Sequence, residues 1–279
     1  MKRKILLLLL ISLLILCGCG QGEIEKDKED NKDGTLASNS ADTQTTEENI
    51  ENGNSSKDNE DASDSSSGSE GSATTWDPCL DYGLPIPTET HTYDNGSKLI
   101  LVNKQYAISS DFYPTDMVAV DGSLSTNQNL YFKREAYDAY LKMLRDANSQ
   151  GISFLICSTY RSYSTQESIY FNYVSAYGTE YTNTISAYPG RSEHHTGWAV
   201  DITSPSMGYD LREDFINYPE GIWINNHCSE YGFIIRYPKD KTHITGYSYE
   251  PWHLRYVGVD VAKEITSRGI TLEEYLGKA

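Results

Sequence analysis

The chain has 279 residues, 38% of them hydrophobic, and a formal net charge of -17 at pH 7. This acidity argues against nucleic-acid binding, which needs a concentrated basic patch. Much of the negative charge lies in residues 21–75, which hold 15 acidic and 4 basic side chains.

The N-terminus has the pattern of an export signal. The basic run Met1–Lys4 precedes an apolar stretch, Ile5–Leu16. That stretch is shorter than the roughly 20 apolar residues of a membrane-spanning helix. We therefore expect it to be cleaved rather than retained.

A candidate lipid attachment site follows this stretch. The run Leu16-Cys17-Gly18-Cys19 resembles a bacterial lipobox, in which a small residue precedes a cysteine that takes diacylglycerol and becomes the new N-terminus. Cys19 fits because Gly18 precedes it. The sequence therefore predicts a lipoprotein signal peptide over residues 1–19 and a protein held by lipid on the outer face of a bacterial membrane. An ordinary cleaved signal is the alternative.

Residues 20–75 contain no aromatic side chain and almost no aliphatic one. Such a segment cannot bury enough apolar surface to offset its ordering entropy. We expect a disordered acidic tether that its own charges extend. From Trp76 the composition changes, and residues 76–279 hold every aromatic residue, which predicts one folded domain over that range.

Short apolar runs in this domain predict strands, and apolar residues at helical spacing predict helices. The predicted strands are Leu99–Val102, Met117–Val120, Ile152–Cys157, Trp198–Ile202, Phe233–Tyr237 and Trp252–Val257. The predicted helices are one through Leu130–Leu144, one from a capping box of Ser164 and Glu167 to Gly178, and others at Trp223–Tyr231, Val259–Ser267 and after Thr271. This irregular mixture predicts an α+β domain, a small mixed or antiparallel sheet with flanking helices.

Two segments carry the residues of a metal site, Ser192–Asp201 and Glu250–His253. Catalytic zinc takes three protein ligands and keeps its fourth position open for water. The sequence predicts that His194, Asp201 and His253 bind one Zn²⁺ ion.

The spacing within both segments suits that role. Gly197 permits a tight turn between His194 and the strand that follows. Glu250 lies three residues before His253, so a turn can place its carboxylate beside the metal site. We predict that Glu250 is the general base, and then the acid that protonates the leaving amine.

Both segments match the forms S-x-H-x-x-G-x-A-x-D and E-x-W-H without a departure. By these residues the chain resembles the LAS metallopeptidases, and among them the VanY-type D-alanyl-D-alanine carboxypeptidases. The similarity covers the domain from about residue 98 onward. It includes Leu101–Lys104, Tyr160–Ser162, Arg236–Pro238, Thr245–Tyr247 and His253–Val257.

The resemblance implies a LAS or Hedgehog-like fold with the zinc site in a cleft on the sheet. It implies a carboxypeptidase that removes the C-terminal D-alanine from peptidoglycan stem peptides. It also gives Arg161 a catalytic and substrate-binding role near the reacting carbonyl or the terminal carboxylate, where a permanent positive charge stabilises an oxyanion. Gln166 and Ser192 match substrate-binding positions of the family.

Two alternatives stay open. An L,D-carboxypeptidase would take D-alanine from tetrapeptide stems with the same metal site, and a wall-binding lipoprotein would keep the fold without catalysis. We expect a monomer whose partners are stem peptides and the membrane, and no nucleic acid. Cys157 fits a buried thiol, and Cys79 and Cys228 could form a disulfide. The spacing of the 22 tyrosines favours ordinary packing over stacking on wall sugars.

Overall fold

The computed structural model of the chain describes residues 77–279. The predicted signal peptide, the lipidation of Cys19 and the acidic tether lie outside the described residues and stay predictions. Within the described part, no helix has both the length and the apolar content to cross a membrane.

The described domain contains eight strands and seven α-helices, besides six short 3-10 helices. The strands are β1 (Glu89–His91), β2 (Tyr106–Ile108), β3 (Met117–Ala119), β4 (Tyr131–Lys133), β5 (Leu155–Ser158), β6 (Ala199–Thr203), β7 (Phe233–Tyr237) and β8 (Glu250–Tyr256). The helices are α1 (Arg134–Asn148), α2 (Tyr163–Tyr177), α3 (Thr179–Ile185), α4 (Pro219–His227), α5 (Thr242–Thr245), α6 (Val259–Arg268) and α7 (Leu272–Tyr275). The predicted α+β class, with a small sheet and flanking helices, is confirmed.

Four strands form the central sheet in the order β5-β6-β8-β7, and all neighbours are antiparallel. In this sheet Asp201 of β6 lies directly opposite His253 of β8. Directly opposed side chains of an antiparallel pair have Cβ atoms about 5 Å apart. The register therefore brings together a carboxylate and an imidazole that are 52 residues apart in the chain.

The hydrophobic core joins α1 to this sheet. The buried residues of α1 fall at positions i, i+4, i+7, i+8 and i+11 from Ala136 to Ala147, as on the inner face of an amphipathic helix. Sheet residues of the same core include Ile156, Val200, Ile202 and Leu254. The core therefore packs against β6 and β8, the two strands that carry Asp201 and His253.

The predicted strand at Leu99–Val102 is wrong. These residues are largely buried, as their composition predicts, but they have no strand partner. The carbonyl groups of Lys98 and Ile100 instead accept hydrogen bonds from the Arg255 guanidinium, each at 2.8 Å. A side chain of β8 thus satisfies backbone groups that a neighbouring strand would otherwise bind.

The predicted capping box of α2 is also misplaced. The helix begins at Tyr163, and the hydroxyl of Ser162 accepts a hydrogen bond from the backbone N–H of Thr165 at 3.1 Å. Ser164 and Glu167 therefore lie inside the helix. Neighbouring hydroxyl side chains offer alternative caps, so sequence alone does not fix which one begins the helix.

The cysteines of the described residues are free thiols. Cys228 lies in the hydrophobic core, and the Cys79 sulfur accepts a hydrogen bond from Arg191 Nη2 at 3.3 Å. The disulfide that these two cysteines could form is therefore not present. Cys157 is half-buried rather than buried.

Four buried charged residues, which we call the Glu193 network, link the central sheet to α7. Glu193 Oε1 accepts hydrogen bonds from Arg236 Nε at 2.7 Å and from Arg255 Nη1 at 2.6 Å. Arg236 also donates to both carboxylate oxygens of Glu273, at 2.9 and 2.6 Å. These side chains are at most 1% exposed. Removing one partner would leave a buried charge uncompensated, which typically costs about 3–5 kcal/mol.

The variant Glu273→Gln tests this network. Burial alone would raise the pKa of Glu273, but the charge of Arg236 and the hydrogen bonds from Arg236 and Asn103 together outweigh burial and hold the pKa below its ordinary value. The stabilisation is therefore fully present above the unfolded-state pKa of about 4.3 and is lost as the pH falls through the folded-state pKa. We expect the variant to lower the free energy of unfolding by about 3 kcal/mol at neutral pH.

Urea unfolding of wild type and variant from neutral to acidic pH, with a chelator present, measures this difference. The difference should shrink below about pH 4, because the Glu273 carboxylate of the unfolded wild type then binds a proton that the folded protein takes up only at lower pH. A difference that stayed constant over the whole pH range would contradict the ion pair.

Candidate metal centre

A tight turn before β6 presents His194. Residues Glu193–Thr196 form one 3-10 turn, which ends at Gly197 with a φ of +71°. A Cβ atom at Gly197 would lie 2.8 Å from the sulfur of Met117, a flexible side chain that would have to shift, and the positive φ is the stronger reason for glycine at this position. The turn predicted from the sequence at Gly197 is confirmed, and it places His194 beside Asp201.

His194, Asp201 and His253 converge and are each at most 6% exposed. His194 Nε2 lies 3.1 Å from Asp201 Oδ2, and His253 Nδ1 lies 2.9 Å from Asp201 Oδ1. Ligand atoms from all three side chains lie within 4.8 Å of one another. The structure therefore brings together the three residues that the sequence predicts as metal ligands.

The second ring nitrogen of each histidine faces an acceptor. His194 Nδ1 donates to the carbonyl oxygen of Thr159 at 2.6 Å, because a carbonyl can only accept. His253 Nε2 faces Glu193 Oε2 at 3.6 Å, and neither atom has another partner among the described residues. Such acceptors fix the tautomer of metal-binding histidines. His194 Nε2 and His253 Nδ1 both lie on the Asp201 side, and they are the nitrogens left to bind a metal once His253 Nδ1 gives up its proton to the solvent.

Glu193 is the functional candidate that sequence reasoning missed. It occupies a variable position of the form S-x-H, so the match does not single it out. The sequence feature that could have indicated a buried carboxylate is the pair Arg236 and Arg255, because an arginine in an otherwise apolar strand needs a buried carboxylate partner. We infer that Glu193 is a positioning residue, which joins His253 to a rigid ionic network.

We expect Glu193→Gln to weaken zinc affinity by about 10- to 100-fold. The neutral amide is a weaker acceptor for His253 and a poorer partner for the two arginines. Competition with a chromophoric chelator, at a temperature where the variant is folded, measures the affinity. Glu273→Gln is the matched control, because it breaks the same network farther from His253. An equal loss in both variants would mean that the network acts through stability alone.

The charges of the site favour a cation. Burial alone would lower the pKa of His253, but the nearby carboxylates of Asp201, Glu193 and Glu250 together outweigh burial and raise the pKa to about 9. Burial likewise opposes the charge of Asp201, yet the two histidines hold its pKa well below the ordinary value. Two imidazoles and a carboxylate are also a donor set that zinc accepts. The residues present therefore fit a zinc ion.

Glu250 stands beside these three residues at the start of β8. Its Oε2 atom lies 3.9 Å from His253 Nδ1, and its side chain is 17% exposed. Burial raises the pKa of Glu250 to about 7. A general base works best when its pKa lies near the working pH. The position and the pKa both suit proton transfer at the metal site.

Arg161 follows β5 and is half-buried. Burial lowers the pKa of His194, and the positive charge of Arg161 adds to this effect. The same charge opposes the burial that raises the pKa of Glu250, so Arg161 acts electrostatically on both residues of the site. Its guanidinium donates to Gln166 Oε1 at 2.7 Å and to Ser158 Oγ at 3.0 Å. Two side chains thus hold the arginine in place.

Gln166 is fully buried, and both ends of its amide are engaged. Its Oε1 accepts from Arg161, and its Nε2 donates to the carbonyl oxygen of Ala187 at 2.6 Å. Gln166 therefore lies where it orients the arginine. Ser192 is 4% exposed and precedes the turn that carries His194. The substrate-binding roles of Arg161, Gln166 and Ser192 stay predictions.

Comparison with known proteins places this site in a family. A family model described as VanY, D-alanyl-D-alanine carboxypeptidase, matches residues 129–259. A Bacillus subtilis (strain 168) protein named as a carboxypeptidase, YodJ, is 46% identical over 183 residues, which are 64% of this chain and 67% of that protein. The chain spans 60 to 67% of the length of the first curated relatives that it matches.

Two solved structures resemble the described domain. The LdcB LD-carboxypeptidase is 43% identical with a TM-score of 0.62, over 68% of this chain and 91% of that one. The D,D-pentapeptidase VanY of a VanB-type resistance cassette, as a glutamate-to-alanine variant in complex with Zn(II), is 31% identical with a TM-score of 0.55. That match covers 64% of this chain and 98% of the other. The identities are high enough to show kinship as well as a shared fold.

Proposed function

This chain belongs to the VanY family of D-alanyl-D-alanine carboxypeptidases, and from that premise we propose that it removes the C-terminal D-alanine from peptidoglycan stem peptides. One observation carries the proposal: Glu250 lies beside the converging His194, Asp201 and His253. A wall-binding protein without catalysis would need no base next to its metal site. The presence of a base beside the three candidate metal ligands therefore favours an enzyme.

The predicted cofactor, one zinc ion, is confirmed. A VanY structure is in complex with Zn(II). In this chain, His194, Asp201 and His253 form a candidate metal site. These three residues would hold the ion. When bound, zinc supplies a Lewis acid that polarises the scissile carbonyl and lowers the pKa of water.

The protein residues contribute proton transfer and a fixed charge. Glu250 accepts a proton from the water that attacks the C-terminal peptide carbonyl, and a proton then passes from Glu250 to the leaving amine. The new C–O bond replaces the C–N bond, so the products are a shortened stem and free D-alanine. Arg161, held by Gln166, offers its positive charge to the oxyanion or to the terminal carboxylate.

A second candidate is an L,D-carboxypeptidase, which removes D-alanine from a tetrapeptide stem. The specific observation in its favour is the higher identity to LdcB, 43% against 31% for the VanY structure. The same metal site and base serve both reactions. The difference lies in the space around the penultimate residue of the substrate.

Muropeptides with pentapeptide and tetrapeptide stems separate the two reactions. The zinc-loaded protein is incubated with each, and the products are identified by mass spectrometry. Loss of one alanine from the pentapeptide supports the D,D reaction, and loss from the tetrapeptide supports the L,D reaction. If zinc is bound but neither substrate is shortened, the protein is not a stem-peptide carboxypeptidase.

We also propose that the protein is anchored by lipid at Cys19 on the outer face of the cell membrane. The support is the sequence alone, a basic run and an apolar stretch that end at Gly18-Cys19. Growth with a labelled fatty acid should mark the wild-type protein and should not mark Cys19→Ala.

A further inference from the structure

Three exposed tyrosines form a row on the arm made by α2 and α3. Tyr173 and Tyr177 are one helical turn apart on α2, and Tyr181 follows on α3 beyond the break at Gly178. Ring centroids are 5.9 Å apart in each adjacent pair. The three residues are 39, 51 and 55% exposed. We call them the tyrosine row.

The row continues the inner face of α2 beyond the core. Gln166, Tyr170, Tyr173 and Tyr177 recur at intervals of four, three and four residues, which places them on one helix face. The first two are fully buried and the last two are exposed. An apolar helix face normally packs against the core. Here its second half leaves the core, so contiguous aromatic surface remains open to a partner.

The arm begins at the reaction site. Gln166 lies near the start of α2 and binds the Arg161 side chain. From Gln166 the helix rises about 10 Å to Tyr173 and about 16 Å to Tyr177. A fully extended five-residue peptide spans about 17 Å. A stem peptide with its C-terminus near Arg161 can therefore bring its other end to the tyrosine row.

We propose that the tyrosine row binds the glycan strand that carries the stem peptide, an inference that rests on the proposed function. The end of the stem opposite the scissile bond is joined to a sugar. A pyranose ring offers an apolar C–H face and hydroxyl groups, and tyrosine matches both with its ring and its hydroxyl. Tyrosine also supplies rigid contact area at a low cost in conformational entropy. The occupant is thus a polysaccharide next to the peptide site.

Binding to peptide-free glycan tests the row without relying on catalysis. Glycan strands, released from peptidoglycan by an amidase that removes the stems, are coupled to beads, and the beads are sedimented with the wild-type protein and with a Tyr173→Ala, Tyr177→Ala, Tyr181→Ala variant. We expect the variant to bind about 10-fold more weakly, as for the loss of a few aromatic anchors. Tyr209→Ala is the matched control, because Tyr209 is 51% exposed and lies outside the row. It should bind like the wild type.

Hydrolysis gives a second readout. The ratio of kcat/KM for a glycan-linked pentapeptide to that for the free pentapeptide should fall about 10-fold in the triple variant. Undiminished glycan binding, or an equal loss of hydrolysis on both substrates, would overturn the proposal. So would a wild type that dimerises through the row and does not bind glycan. Glycan binding by a wild type that hydrolyses neither peptide would support the row and contradict the proposed function instead.

Discussion

Replacing Glu250 with glutamine should lower kcat by about 10²- to 10⁴-fold, the usual contribution of a positioned base. Glutamine has nearly the same shape as glutamate, but its amide cannot take a proton from water. The burial that raises the pKa of Glu250 to about 7 suits both halves of the proton transfer, and the variant loses both. Time courses of stem-peptide cleavage by the zinc-loaded protein, read by mass spectrometry, measure the loss.

Zinc affinity is the control for this variant. Glu250 lies 3.9 Å from His253 Nδ1 and is not one of the three clustered residues. We therefore expect Glu250→Gln to bind zinc about as tightly as the wild type, unlike Glu193→Gln. Cleavage that continued at the wild-type rate would show that another group moves the proton.

The metal site could be predicted because its residues lie in two short segments at fixed spacing. A positive φ favours glycine at position 197, so the turn that presents His194 is recognisable in the sequence. The pairing of Asp201 with His253 depends on the register of β6 and β8. Because both strands are buried, only one register between them is favoured. No local sequence pattern, however, predicts which residue of one strand lies opposite which residue of the other.

Side chains that act through tertiary contacts could not be predicted in the same way. Glu193 has no local signal, because its partners Arg236 and Arg255 lie on other strands. Gln166 matches a family position, yet its amide is engaged within the protein. Leu99–Val102 is apolar like a strand, but the Arg255 side chain binds the backbone there. Composition predicts that these residues are buried, and only the fold determines what they contact.

Removing the metal should abolish hydrolysis, and added zinc should restore it. Asp201 and His253 lie in the sheet and His194 lies in the turn before it, so the three side chains converge only in the folded protein and zinc binding also adds to its stability. At a free zinc concentration 100 times the Kd, the free energy of unfolding should rise by about 2.7 kcal/mol. Activity and thermal unfolding, measured in a chelator and then during a zinc titration, follow both effects.

The variant Asp201→Asn isolates the cause of these effects. Asparagine keeps the shape of the side chain opposite His253 but removes the charge that both histidines face at 2.9 to 3.1 Å. We expect the variant to stay inactive at zinc concentrations that saturate the wild type, and its Tm not to rise with zinc. If its Tm rose as in the wild type, or if chelated wild type still cleaved stems, these three residues would not be the metal centre. Asp201 between two imidazoles would then be a buried ion pair that joins β6 to β8.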